Sequence, residues 1–259
     1  MSYLMAGQSA ELERLQLQSR VWEPAGERLL ARIGEGAGWS VIDAGCGVLG
    51  WLRVLSRWVG PLGRVVGIDN QPAMLEAARA FVENEGLANV ELVEDDLFAS
   101  RVEPASFDLV HARFQLAPIG RFKEQMSAYR NLLKPGGLLV VEDPEMASWR
   151  FNPDAPAAQR LISLIEQAFA AGGGDFNVGR RLPELLGEGA AVAAEVVALS
   201  PGHPYLRLPL QFATSLDARL LDLVGREELD SLRAEAEAEI ASPGRWGTTF
   251  TLIQAWRRF

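Results

Sequence analysis

The chain has 259 residues, 48% of them hydrophobic, and carries a formal net charge of −9. That length suits one large α/β domain with insertions, and the apolar share excludes wholesale disorder. One cysteine and two histidines exclude a disulfide framework and a Cys- or His-rich metal cluster. The acidity argues against a nucleic-acid partner, which would need clustered Lys and Arg. No apolar run approaches the roughly 18 residues of a membrane span.

MSYLMAGQSAELERLQ, at the start, lacks the basic and apolar parts of a signal peptide, so a cytoplasmic setting is expected. Residues 9–33 read as helical, with Ser9 as an N-cap and Leu12, Leu15 and Trp22 on an apolar stripe. Pro24 fits the first turn of a second helix carrying Leu29, Leu30 and Ile33. An alternation follows: strands at 39–45, 64–70, 90–96, 106–113 and 136–143, with helices at 50–60, 72–86 and near 120–133. Strands separated by helices of this length form βαβ units and a parallel sheet, because a parallel crossover needs a dozen or more residues. Fully apolar runs such as LLVV fit strands covered on both faces. Beyond Pro144 the spacing predicts helices over 155–171 and 181–189, a strand over 193–200, helices around 210–224 and 226–240, and a final strand over 248–256.

VIDAGCGVLG, residues 41–50, carries the first chemistry. Gly45, Gly47 and Gly50 match G-x-G-x-x-G between a strand and a helix, where bare backbone admits a ligand to a helix N-terminus. Asp69 ends the next strand, where a carboxylate can accept from two ribose hydroxyls. That points to a nucleoside-containing cofactor. Asp43 stands two residues before Gly45, where it would repel a pyrophosphate and suit a cation. Asp96 ends the third strand, placed to accept from an adenine amine with Leu97 against the ring. Three acids at three successive strand ends favour S-adenosyl-L-methionine, which has an ammonium, a sulfonium and no phosphate, over a nicotinamide dinucleotide. The plainer readings are a loop cap for Asp43, a helix N-cap for Asp69 and a turn residue for Asp96.

The sequence resembles the class I S-adenosylmethionine-dependent methyltransferases, in the bacterial small-molecule, ubiquinone/menaquinone-biosynthesis-like group. VIDAGCGVLG (41–50), VVGIDNQPAMLEAAR (65–79), VEDDLF (93–98), FDLVHARFQL (107–116) and LKPGGLLVVED (133–143) carry the resemblance. It implies that Gly45, Cys46 and Gly47 line the methionine moiety beside Asp43. Asp69 and Asn70 would hold the ribose, and Asp96 and Leu97 would flank adenine. His111, Ala112 and Arg113 would border the methionine end and the substrate. Val48-Leu49 departs from the Pro-Gly or Thr-Gly more usual in the family, and nothing in the sequence accounts for Trp51.

Cys46 reads as a small spacer in the turn. His111 is a candidate general base or a satisfied strand-end histidine. His203, in SPGHPY, is a candidate base or a loop cap. Glu142 or Asp143 would face substrate or cap the next turn, and Trp149, Phe151, Tyr205 and Phe212 are pocket walls or core.

The expected architecture is a Rossmann-like, doubly wound, seven-stranded α/β sheet, mostly parallel with an antiparallel last strand, in a single domain over 1–259. Helical residues 9–33 would cover the cofactor core at 34–143, and insertions at 144–192 and 205–245 would form a helical cap. The expected reaction is methyl transfer to O, N or C of a small molecule, mainly by proximity. The alternative is a non-methylating enzyme on the same fold, such as a cyclase, decarboxylase or hydroxylase. The expected partners exclude nucleic acid and membrane, with a homodimer as an assembly to test and no metal.

Overall fold

The computed structural model describes residues 9–259; the stretch read for a leader, residues 1–8, lies outside the described residues. Ten strands run in chain order: β1 Ser40–Ala44, β2 Arg64–Asp69, β3 Val90–Glu94, β4 Phe107–Arg113, β5 Leu133–Glu145, β6 Arg150–Asn152, β7 Ala191–Glu195, β8 Ala198–Leu199, β9 Trp246–Thr248 and β10 Thr251–Arg258. The helices α1 to α5 are Ser9–Ile33, Leu52–Val59, Pro72–Asn84, Leu116–Ile119 and Phe122–Leu132. Helices α6 to α10 are Pro156–Ala171, Leu182–Leu186, Leu208–Ser215, Asp217–Val224 and Arg226–Ile240.

Seven strands form one sheet in the order β3-β2-β1-β4-β5-β10-β7, with β10 antiparallel to both neighbours. Consecutive apolar residues alternate between its faces, as the two-residue strand period requires. Val41, Val65, Leu109 and Val140 pack with α1, α2 and α3. Their neighbours Ile42, Val66, Val110 and Val141 pack with α4, α5 and α7. Each such side chain, fully buried, contributes about 1.5–3 kcal/mol. The strand order reverses between β1 and β4, and a crevice opens at their carboxyl ends, the usual ligand position in such sheets.

A second core lies above that crevice. It joins α6, α8, α9 and α10 to the middle of α1 through Trp22 and Ala25. A small antiparallel sheet, β6-β9-β8, supports it.

Four expectations need correction. Pro24 does not begin a second helix: α1 runs unbroken through it. A proline removes one N–H, while Trp22 and Ala25 anchor the helix in the cap core and Leu29 and Leu30 anchor it on the sheet. The expected N-cap role of Ser9 rests on a side chain outside the described residues. The strand over 193–200 is two strands in different sheets, because Thr249 exchanges hydrogen bonds with the Val197 backbone at 3.0 Å and pulls the chain across. The helix over 210–224 is also two, divided at Leu216, which is buried between them. The final strand likewise begins with the separate β9, which the sequence left unresolved.

Candidate active site

β1 delivers the chain into the glycine loop at Gly45, where φ is +75°, followed by +55° at Gly47 and +43° at Gly50. These left-handed angles are why glycines stand there. Four amides of the loop and its exit turn inward. Gly45 and Cys46 donate to Ile68 O at 2.8 and 2.9 Å. Gly47 donates to Asp69 Oδ2 at 2.9 Å, and Trp51 to Asp43 Oδ2 at 2.7 Å. Amides engaged this way are not offered to a phosphate, unlike those of a dinucleotide cradle. Gln115 lies over Gly45, donating to its carbonyl at 3.1 Å.

Asp43 is buried under the loop and uses its other oxygen on His111, whose Nδ1 lies 2.7 Å away. β1 and β4 pair directly at these two residues. The His111 ring stacks on Trp51 with centroids 3.8 Å apart, and Gly26 of α1 comes so close to that indole that a Cβ there would lie 2.9 Å from Trp51 Cε2. Trp51 thus has its account: it roofs the histidine and seats α1. His111 Nε2 and Glu142 Oε2 face each other at 4.0 Å, neither with a hydrogen-bond partner. Gln254 continues the row, 3.3 Å from both Glu142 and Ala25 O of α1. Burial pushes the His111 pKa down, but the Asp43 and Glu142 carboxylates outweigh it and the net shift is upward.

Around this floor lies a pocket of about 400 Å³, within the usual range for small-molecule sites. Asp69 reaches it while bracing the loop and accepting from Gln71 N at 2.9 Å. Burial, aided by Asp43, raises the Asp69 pKa against the amides that donate to it. Asn70, Asp96 and Leu97 line the same end, and Met74 and Ile68 add apolar wall. Asp96 also caps the short helical turn Leu97–Ala99 by accepting from Phe98 N at 2.9 Å. Cys46 lines the pocket too, buried, its thiol pKa raised first by burial and then by Asp43 and Asp69.

Aromatic and cationic side chains complete the wall of the pocket. Phe114, Phe169, Phe176, Phe212 and Phe250 line it, with Arg14, Arg113 and Arg219. Phe114 holds φ +57°, an uncommon value for a phenylalanine and one that points to function. Arg113 donates to Gly50 O at 3.1 Å, while its Nη1 has no partner.

Most of the expected cofactor residues therefore converge on one pocket: Asp43, Gly45, Cys46, Gly47, Asp69, Asn70, Asp96, Leu97 and Arg113. Ala112 does not reach it, because its side chain points into the core below the sheet. Neither histidine reaches it as a base. His111 is sealed beneath the floor, and His203 caps the turn Pro204–Arg207, its Nδ1 accepting from Tyr205 N at 3.1 Å. Asp143 caps α4 through the amides of Ala117 and Leu116 at 2.9 and 3.3 Å, and Glu142 is buried. Phe212 is a wall, while Trp149, Phe151 and Tyr205 are core.

Residues 35–182 match the family model described as a methyltransferase domain. The chain belongs to this family. Its fold and the expected class I S-adenosylmethionine-dependent membership agree. Among curated relatives, demethylmenaquinone methyltransferase of Lactococcus lactis is 34% identical over 113 residues, 44% of this chain and 45% of that protein. The Staphylococcus aureus protein of the same name is 33% identical over 147 residues, 57% of this chain and 56% of that one. The chain thus spans about half the length of these relatives. Among solved structures, the YcgJ protein of Bacillus subtilis is similar with a TM-score of 0.55 at 14% identity, covering 89% of this chain and 97% of that one. Coclaurine N-methyltransferase is similar with a TM-score of 0.53 at 17% identity, covering 91% and 72%. These two likenesses establish the methyltransferase fold.

Proposed function

We propose that the protein transfers a methyl group from S-adenosyl-L-methionine to an O, N or C atom of a small molecule. The observation that carries this reading is the glycine loop of a methyltransferase-family chain, with its amides turned onto Asp69 and a strand carbonyl. The Gly45, Cys46 and Gly47 amides are closed to a diphosphate, and the acid beneath them suits a cationic nucleoside. The bound cofactor supplies an electrophilic methyl on a sulfonium, which needs no further activation from the protein.

In this reading Asp69 has lone pairs left for two ribose hydroxyls, with Asn70 beside it. Asp96, Leu97 and Met74 flank the adenine, and Gly45, Cys46 and Gly47 bring bare backbone against the methionine chain. Asp43 acts from below, its negative charge under the loop favouring a cation above it. His111 is a positioning residue: it fixes Asp43 beneath the loop. With no histidine on the pocket surface, rate comes from orienting acceptor and methyl and from excluding water with the phenylalanine walls.

We read the described chain as one unit, with 9–33 as cover, 34–143 as cofactor core and 144–192 with 205–245 as cap. A small-molecule acceptor and a cytoplasmic setting go with that reading. Among the described residues no helix is long and apolar enough to cross a membrane. Incubation with labelled S-adenosylmethionine and a small-molecule extract tests the activity. The expected result is S-adenosylhomocysteine formed in step with a product heavier by one methyl. Product formed without S-adenosylhomocysteine would instead identify a non-methylating enzyme of this fold.

A further inference from the structure

We propose that two copies of the chain associate edge to edge through residues 191–199, antiparallel about a two-fold axis at Glu195. This surface lies away from the pocket, which no residue of 191–199 lines, so the inference goes beyond the methyl-transfer reading.

One run of chain borders both sheets. β7 ends the seven-stranded sheet and β8 ends the small one, and each has a single neighbouring strand among the described residues. Only Val196 and Val197 lie between them. Side chains alternate along the run, as the strand period requires. Ala193 and Leu199 are buried, Val197 packs on the cap core, and Glu195 accepts from Arg28 of α1. The intervening four, Val192, Ala194, Val196 and Ala198, are exposed. Val192 and Val196 are 48% and 44% exposed, among the most exposed large apolar side chains of the described residues. A strand apolar on both faces is the pattern of one covered on both sides.

The two edges of the large sheet differ. β3, at the other edge, exposes Glu91 and Glu94, and Glu91 pairs with Arg64 at 2.6 Å. Charges on an edge strand deter pairing with another chain. Residues 191–199 contain no Lys, Arg, Pro or Gly, and their one charge is turned onto α1. This edge therefore lacks the devices that keep a strand unpaired.

The occupant that fits is the run itself. About an axis at Glu195, Val192 meets Ala198 and Ala194 meets Val196, so every outward valine faces an alanine. Such directly opposed pairs are the unit of sheet stabilisation. An axis one residue earlier, at Ala194, would instead set Val192 against Val196 and leave alanine against alanine. The Glu195 axis also serves the charges. Each Glu195 lies 2.7 Å from Arg28 and 3.9 Å from Arg32, and both arginine side chains are about half exposed. Two carboxylates brought together at the axis are thus flanked by two guanidiniums from each copy. A two-fold contact of one surface with itself closes after two chains.

Sedimentation equilibrium on the full chain tests this. The expected result is the mass of two chains at concentrations up to about 100 μM, within the affinity of an ordinary interface. The double variant Val192→Lys/Val196→Lys changes two exposed side chains and should weaken dimerisation by about tenfold or more. It should keep the wild-type far-UV circular dichroism and the wild-type response to S-adenosylhomocysteine. Glu195→Cys, on the axis, should cross-link to its equal through a short bismaleimide, whereas Leu62→Cys, on an exposed loop between α2 and β2, should not. A monomer throughout the range, a dimer that survives the lysine pair, or a dimer in which Glu195→Cys stays unlinked would overturn the proposal.

Discussion

His111 Nδ1 and Asp43 Oδ1 lie 2.7 Å apart, both buried beneath the glycine loop on directly paired strands. Through Asp43 Oδ2 and Trp51 N the pair also holds the start of α2, and through the Trp51 indole it seats α1. One acid thus links β1, β4, the loop and the covering helix.

Replacing His111 with Phe should leave Asp43 buried and unbalanced, costing about 3–5 kcal/mol of stability. The same variant should weaken S-adenosylhomocysteine binding, because the loop loses its anchor. The wild-type histidine's raised pKa has a definite sign. Its stabilisation is complete below the ordinary histidine value and is lost as pH rises through the raised folded value. Urea unfolding at a series of pH values should show that loss in the wild type and a flatter profile in His111→Phe. An unchanged stability and profile would remove the role given to the pair.

Asp69→Ala should weaken cofactor binding by about 1–3 kcal/mol, the loss expected for hydrogen bonds to a charged acceptor. The ionised carboxylate is the accepting form, and its pKa is raised by burial. Wild-type affinity should therefore be full at higher pH and fall as pH drops through the Asp69 value. Calorimetry at several pH values checks both statements.

The loop glycines should not be equivalent. A Cβ on Gly47 meets nothing within 4 Å, so Gly47→Ala should cost only its left-handed backbone, about 1–2 kcal/mol. A Cβ on Gly50 would lie 2.1 Å from Asp43 Oδ2, whose position is fixed by His111 and Trp51. Gly50→Ala should therefore destabilise more than Gly47→Ala in the same denaturant titration.

Asp143 is fully buried at the start of α4, and burial pushes its pKa up to about 8. A raised carboxyl pKa means that the folded chain keeps a proton which the unfolded chain releases. Stability from this group should be fully present below the ordinary carboxylate range and decline as pH rises towards 8. Asp143→Asn should flatten that decline in thermal melts.

The sheet was legible because its residues obey two periods at once. Val41-Ile42, Val65-Val66 and Val140-Val141 are apolar on both faces, which only a strand covered on both sides requires. That the strand-end acids and the glycines after β1 meet at one pocket was legible because they are adjacent in sequence to the elements that position them. The aromatic wall was not, since Phe114, Phe169, Phe176, Phe212 and Phe250 meet only through tertiary packing. A signal did exist in α1. Arg14, Gln18 and Trp22 follow one another every fourth residue, placing two polar side chains on the buried stripe. The two readings of His111, base or strand-end histidine, could not be separated in the sequence, because a strand end near a pocket is not its surface and alternation turned this side chain into the floor.

Competition calorimetry on the full chain addresses the central claim, that a cationic sulfur nucleoside lies over inward-turned loop amides. S-adenosylhomocysteine should bind one-to-one, and NAD at a hundredfold excess should not displace it. Binding of NAD with no heat from S-adenosylhomocysteine would contradict the assignment.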